Sequence, residues 1–219
     1  FLSDPRFHSV EKIQLYNGGE TLLHPKRIEM LRIIAEYRLL AQEEGIPFPK
    51  VSMLTNGMLL RENLARQIVD EGLVDEVGFS LDGGTPEDFE DLRVNAKWKG
   101  FYENVKFFAE YARSSDKAIR IYGITIVPEP RTLDYGWMHS EFVELAQLFD
   151  HHEMRRLHDW GGEVDLLGDH NIGVGRKEEE KTVLKDRGCD LLLRQMIWLP
   201  NGDVTICCND LNSKGVVGN

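Results

Sequence analysis

Cysteine is absent from the first 188 residues; the three that occur, Cys189, Cys207 and Cys208, fall close to the C-terminus. An odd, late group of thiols excludes a disulfide framework and fits a reducing compartment with metal or cluster ligation. Positive charge is also scarce. Lys and Arg number 26 against 37 Asp and Glu, a formal net charge of -11, which excludes a nucleic-acid partner held by a basic surface. No apolar run approaches the length of a membrane span and no signal-peptide pattern is visible, so the expectation is a cytoplasmic protein without a membrane partner. What is present is ample apolar material. Hydrophobic residues make up 42% of 219 residues, enough for the core of one large domain, or of one and a half small ones. The chain opens on Phe1 rather than Met, and its last element has no clear stop before Asn219. A piece of a longer protein is therefore expected.

The organising stretch is Ile13-Gln14-Leu15-Tyr16-Asn17-Gly18-Gly19-Glu20. It alternates as a strand does and stops at a double glycine, where the backbone can turn sharply and bring bare N–H and C=O groups against a ligand. Glu20 then places a carboxylate at the carboxyl end of the strand, where parallel α/β folds put their chemistry. Strand and helix alternate from there. Strands are expected over 12–16, 50–54, 75–81 and 118–127, with a weaker one near 153–157. A helix opens at His24-Pro25, buries Ile28, Leu31, Ile34 and Leu39, and ends at Gly45. Others are expected over 61–71, ending at Gly72, from Thr85-Pro86, over 101–113 and over 140–149. Such βα spacing predicts a parallel sheet with right-handed crossovers, its functional strand ends gathered on one rim.

Beyond residue 160 the character changes. Gly161, Gly162, Gly168, Gly173 and Gly175 mark a loop-rich linker, and 176–187 is a charged run that reads as a solvated helix. The end reads as a hairpin, 195–199 and 203–207 about a Pro200-Asn201-Gly202 turn. His151, His152, His158 and His170 match no compact zinc spacing and read as surface histidines. Gly173-Val174-Gly175 is too short for a nucleotide loop, and Trp160-Gly161-Gly162 is expected to close the barrel or line its substrate side.

Three segments carry a family resemblance. Gly18-Gly19-Glu20-Thr21-Leu22-Leu23-His24-Pro25 resembles the GGEPLLHP segment of radical S-adenosylmethionine (SAM) enzymes, with Thr21 in place of the usual proline. Thr55-Asn56-Gly57 resembles their TNG strand end, and Phe79-Ser80-Leu81-Asp82-Gly83 followed by Arg93 resembles their SLDG…R segment. The three stand in the family's order. The resemblance implies an α/β fold, a partial (β/α)6 TIM-like barrel of which about strands 2–6 are present. It implies that Gly18, Gly19 and Glu20 meet the methionine ammonium of SAM, that Ser80 bonds the ribose or carboxylate, and that Arg93 pairs with the methionine carboxylate. Thr55 and Asn56 would shape the rim. Asp82 either joins this cofactor site or caps the following turn, and Arg93 could instead sit in solvent.

The tail carries a second resemblance. Cys189, Gly202, Cys207 and the closing Val217-Gly218-Asn219 resemble the start of the SPASM domain, the auxiliary iron–sulfur extension of peptide- and protein-modifying relatives. The implied division is a barrel over 1–160, a linker over 161–188 and the beginning of the auxiliary domain over 189–219. Cys189 and Cys207 would ligate an auxiliary [4Fe–4S] cluster, while Cys208 would point to the other face of its strand. The catalytic [4Fe–4S] cluster of the family uses a C-x3-C-x2-C loop that these residues do not contain, which implies ligands upstream. The activity implied is reductive cleavage of SAM to a 5′-deoxyadenosyl radical that abstracts hydrogen from a peptide, protein or small-molecule substrate, with flavodoxin or ferredoxin as electron donor. Two other readings stay open: a cluster-free module that binds SAM or a peptide, and a (β/α) barrel hydrolase or lyase using Glu20 and Asp82 as acid and base.

Overall fold

The computed structural model of the chain describes residues 4–156, 191, 194–208, 210 and 214–219. The residues fall into two compact units, one of 1–127 with 131–155 and one of 128–130 with 156–219. The first is built on five parallel strands in simple order: β1 (Lys12–Gln14), β2 (Lys50–Thr55), β3 (Glu76–Ser80), β4 (Arg120–Ile126) and β5 (His151–Arg155). Between them lie α1 (Arg27–Glu43), α2 (Glu62–Asp70), α3 (Pro86–Leu92), α4 (Trp98–Ser114) and α5 (Ser140–Leu148). This is the α/β pattern of a partial TIM-like barrel.

Local signals explain most boundaries. Gly45 and Gly72 follow α1 and α2 with positive φ, the left-handed stop that glycine adopts without strain. The Thr85 hydroxyl accepts the Asp88 N–H at 3.1 Å and Pro86 opens α3. Two aspartates repeat one device at strand starts. Asp75 accepts the Val51 N–H and Asp150 the Ile121 N–H, each at 2.7 Å. In both cases the residue just before a strand captures an early amide of its neighbour, which pins the register.

Side chains alternate across the sheet. Val51, Met53, Val77, Phe79 and Ile121 are buried in the layer shared with the helices. Phe79 meets Phe108 of α4 edge-on at 5.7 Å and stacks on Phe149 at 5.8 Å. Trp98 of α4 stacks on Phe142 of α5 with centroids 4.0 Å apart and 5° between planes. These contacts hold the helices as one layer.

Some expectations need correction. Leu39 is 61% exposed, not part of the buried face of α1. Which face of α1 turns inward is set by its packing on the sheet rather than by its apolar spacing, and its buried positions are Leu31 and Ala41. His24-Pro25 does not open that helix; a short 3-10 turn, Thr21–Leu23, comes first, and α1 begins at Arg27. The fifth strand lies two residues earlier than expected, because its register pairs His151 with Tyr122 of β4.

The second unit contains a three-stranded antiparallel sheet, β6 (Ile197–Trp198), β7 (Val204–Thr205) and β8 (Val216–Gly218). The turn at Asn201-Gly202 is where the sequence placed it, but β7 stops at Thr205. Cys207 and Cys208 therefore follow the strand, and strand alternation does not decide where their thiols point. Cys207 is exposed and Cys208 half-buried. Cys189, Trp160, the glycine-rich linker, His158, His170 and the charged run at 176–187 lie outside the described residues. Among the described residues no helix is long and apolar enough to cross a membrane.

Candidate functional site

The carboxyl ends of β1, β2, β3 and β4 lie side by side on one rim, since the strands are adjacent and parallel. Glu20 follows β1. Its Oε1 accepts the Thr55 hydroxyl at 2.8 Å and the Leu22 N–H at 3.0 Å, and its Oε2 accepts the Asn56 N–H at 2.6 Å. Thr55 and Asn56 close β2, so the carboxylate ties the loop after β1 to the end of β2. Thr55 is buried and also accepts the Gly57 N–H at 3.1 Å. Thr21, at the family's proline position, donates its hydroxyl to the Leu15 carbonyl and so braces the same loop. Gly18 and Gly19 are exposed, and the space a Cβ on Gly19 would take is open. A carboxylate accepting three bonds keeps acceptor capacity beyond them.

Ser80 ends β3, one residue past the Thr55–Phe79 pair. Asp82 lies two residues further on and is buried. Its Oδ1 accepts the Ile126 N–H of β4 at 2.9 Å, and its Oδ2 accepts Arg93 Nε at 2.7 Å and also Arg93 Nη2. Asp82 thus bonds β4 and Arg93 rather than the turn after it, and fixes Arg93, at the end of α3, against the rim. The Nη1 edge of Arg93 stays uncommitted, and the side chain is 28% exposed. Arg93 is therefore not a solvent arginine. It is a held guanidinium with one edge free for a planar, two-pronged acceptor.

Sequence reasoning missed a third group. His152 of β5 lies among neighbours rather than on the surface, unlike the exposed His151. Its Nε2 is 2.8 Å from the Thr125 hydroxyl and its Nδ1 is 2.6 Å from Tyr135 Oη. Thr125 donates its own hydrogen to the Leu81 carbonyl at 2.5 Å, so it must accept from His152 Nε2–H. Nδ1 then accepts from Tyr135. This neutral tautomer satisfies every partner. Burial, with the neighbouring His151 adding to it, pushes the His152 pKa down to about 4. The unfolded chain binds this proton near pH 6.5, so stability falls as pH drops from about 6.5 to about 4 and this contribution levels off below that. Urea denaturation across that window should show a shallower pH slope for His152→Gln than for the wild type. Equal slopes would mean that His152 is not held neutral.

Among the described residues no three His, Cys, Asp or Glu side chains converge on a metal site. The described residues alone hold no ligand set for an iron–sulfur cluster, and Cys189, the expected partner of Cys207, lies outside them.

A family model for the radical SAM superfamily matches residues 6–132, more than half of the chain. The chain belongs to the radical SAM superfamily. The matched span contains Gly18, Gly19, Glu20, Thr55, Asn56, Ser80, Asp82 and Arg93 and stops before Tyr135 and His152. Membership implies SAM and a [4Fe–4S] cluster as the cofactors of the family's radical chemistry. No curated protein matches the chain.

Proposed function

We propose that the rim binds SAM and that the chain is part of an enzyme that turns the family's radical on a peptide or protein substrate. The carrying observation is the set of prearranged polar groups at neighbouring strand ends. Glu20 is a fixed anionic acceptor, Ser80 offers a hydroxyl, and Arg93 presents one guanidinium edge. An amino acid moiety needs an acceptor for its ammonium and a planar cation for its carboxylate, and these residues fit that requirement. Gly19, with open space where a Cβ would stand, leaves room for close backbone approach. When bound and cleaved, SAM supplies a 5′-deoxyadenosyl radical that abstracts hydrogen. The protein's part is to bind, orient and exclude competing reactions. Asp82 contributes by holding Arg93, and Thr55 and Asn56 by holding Glu20.

The same geometry disfavours the hydrolase or lyase reading. Both oxygens of Asp82 and both of Glu20 are engaged by fixed donors, and no observation favours either as a proton-transfer group. The peptide substrate and the auxiliary cluster on Cys189 and Cys207 belong to the proposal through the tail's resemblance to SPASM domains, and a flavodoxin or ferredoxin donor through the reductive cleavage of SAM.

Calorimetry with S-adenosylhomocysteine, which keeps the amino and carboxylate groups, tests the reading directly. Arg93→Ala should weaken binding by about 1.5–3 kcal/mol, the range for a hydrogen bond to a charged group. Arg93→Lys should recover only part of it, because an ammonium cannot hold both Asp82 and a second planar acceptor. Wild-type affinity in Arg93→Ala would remove Arg93 from the site.

A further inference from the structure

The face of the sheet opposite the helix layer is polar, which is unusual for parallel strands. It holds an open hollow of about 180 Å³ lined by Lys12, Tyr16, Glu76, Tyr122, Glu153 and Arg155, with Arg120 at its margin. At roughly 30 Å³ per water, that is the volume of about six waters, a side chain rather than a cofactor. Its floor depends on Gly78, where a Cβ would come within 2.3 Å of the Tyr122 ring. The absent side chain lets that ring lie against the sheet and keeps the hollow open.

The acceptors of this hollow are occupied, whereas several of its donors are not. Glu76, nearly fully buried, takes Lys12 Nζ at 2.6 Å and lies 3.6 Å from Arg120. Burial alone would raise its carboxyl, but Lys12, with Ser52 and Arg120 adding to it, holds it below the usual range. Glu153 receives Arg155 Nε and Nη2 at 2.6 and 2.7 Å. The Tyr16 oxygen accepts from Gln14 Nε2 at 3.1 Å and sits 3.3 Å from Tyr122 Oη, which donates to it. Left over are the Tyr16 hydrogen, the Nη1 edge of Arg155 and most of the Arg120 guanidinium, which is 53% exposed. Three cations face two carboxylates in a chain whose net charge is -11. Arg155 lies near enough for its charge to bear on both tyrosine hydroxyls. It pairs in register with Ile126, the last residue of β4, so it stands at the rim end of the hollow.

We propose that this hollow receives a carboxylate of the substrate, gripped by Arg155 and the Tyr16 hydroxyl, and that the substrate is therefore an acidic peptide segment. This rests on the SAM reading above, since it supplies that site with its substrate class. An Asp or Glu side chain and a C-terminal carboxylate share the required chemistry. Arg155 recognises the anion through its free edge while Glu153 fixes the other.

Ligand-observed NMR titration of the 219-residue chain with three capped peptides separates these sources. The probes are N-acetyl-Ala-Glu-Ala-amide, N-acetyl-Ala-Gln-Ala-amide and N-acetyl-Ala-Ala-Ala with a free C-terminus. The expected result is that one or both acids bind at least ~10-fold more tightly than the glutamine peptide, as loss of one charge-assisted contact predicts. Arg155→Gln should abolish that preference, and Tyr16→Phe should reduce it a few-fold. Equal binding of acid and amide, no binding of either acid, or a preference surviving in Arg155→Gln overturns the proposal. S-adenosylhomocysteine titrated into the same samples keeps the two readings apart. Its binding unchanged beside a lost peptide preference sinks only the carboxylate site, whereas its absence in the wild type sinks the SAM site.

Discussion

Phe79→Ala should cost about 3–5 kcal/mol of stability, the largest effect of any single truncation in the sheet. Phe79 is fully buried on the helix side of β3, edge-on to Phe108 and stacked on Phe149. It thereby joins the central strand to α4 and to the segment that leads into β5. Removing its ring leaves a cavity between β3, α4 and the segment leading into β5, which cannot collapse without disturbing the sheet. A domain stable by roughly 5–15 kcal/mol would lose about a fifth of its margin or more. Urea denaturation followed by far-ultraviolet circular dichroism should show a large fall in midpoint with the m-value preserved. Leu39→Ala is the matched control. Leu39 is 61% exposed, and its loss should stay within about 0.5 kcal/mol. A midpoint for Phe79→Ala as close to wild type as that of Leu39→Ala would mean that the aromatic layer does not hold the sheet.

That pair also shows how far the sequence can be read. β-branched and aromatic runs, glycine stops at Gly45 and Gly72 and the Thr85-Pro86 cap are local signals, and the elements they mark stand where local chemistry puts them. Which residues of α1 face inward is not local. It depends on where the helix lies on the sheet, and Leu39, apolar and only about 20° round the helix from Ile28, faces solvent. The fifth strand was obscured because His151, His152 and Glu153 do not look like a strand; its edge pairing with β4 overrides their poor propensity.

The candidate site divides in the same way. Its residues were legible because a strand end must carry small or polar groups to meet a ligand. Their partners were not. Thr55 bonds Glu20 across 35 positions, and Arg93 is held by Asp82 rather than lying in solvent. The polar sheet face had a signal that could have been used: Glu76, Gly78 and Ser80 alternate with Val77 and Phe79, whereas a parallel strand buried on both faces reads as continuously apolar.

Glu20→Ala should lose about 2–4 kcal/mol of stability and most of the affinity for S-adenosylhomocysteine. The carboxylate accepts three hydrogen bonds, from Leu22 N–H, the Thr55 hydroxyl and Asn56 N–H, and a bond to a charged group contributes a net of about 1.5–3 kcal/mol, less where the groups stay partly exposed. Glu20 is half-buried, so water recovers part of that loss at the amides. The Thr55 hydroxyl is buried and does not find water as easily. Affinity falls for two separable reasons: the anion is gone, and the loop carrying Gly18 and Gly19 is no longer tied to β2. Thr55→Val separates them. It keeps the carboxylate, removes one of its anchors and should cost about 1–2 kcal/mol. If Glu20 meets the ligand ammonium directly, Thr55→Val should weaken S-adenosylhomocysteine only a few-fold, while Glu20→Ala and Glu20→Gln both weaken it far more, since glutamine keeps the size but not the charge. Equal losses in Glu20→Ala and Thr55→Val, with Glu20→Gln near wild type, would instead make Glu20 a brace for the glycine loop. Its negative charge would then have no part in holding the cofactor.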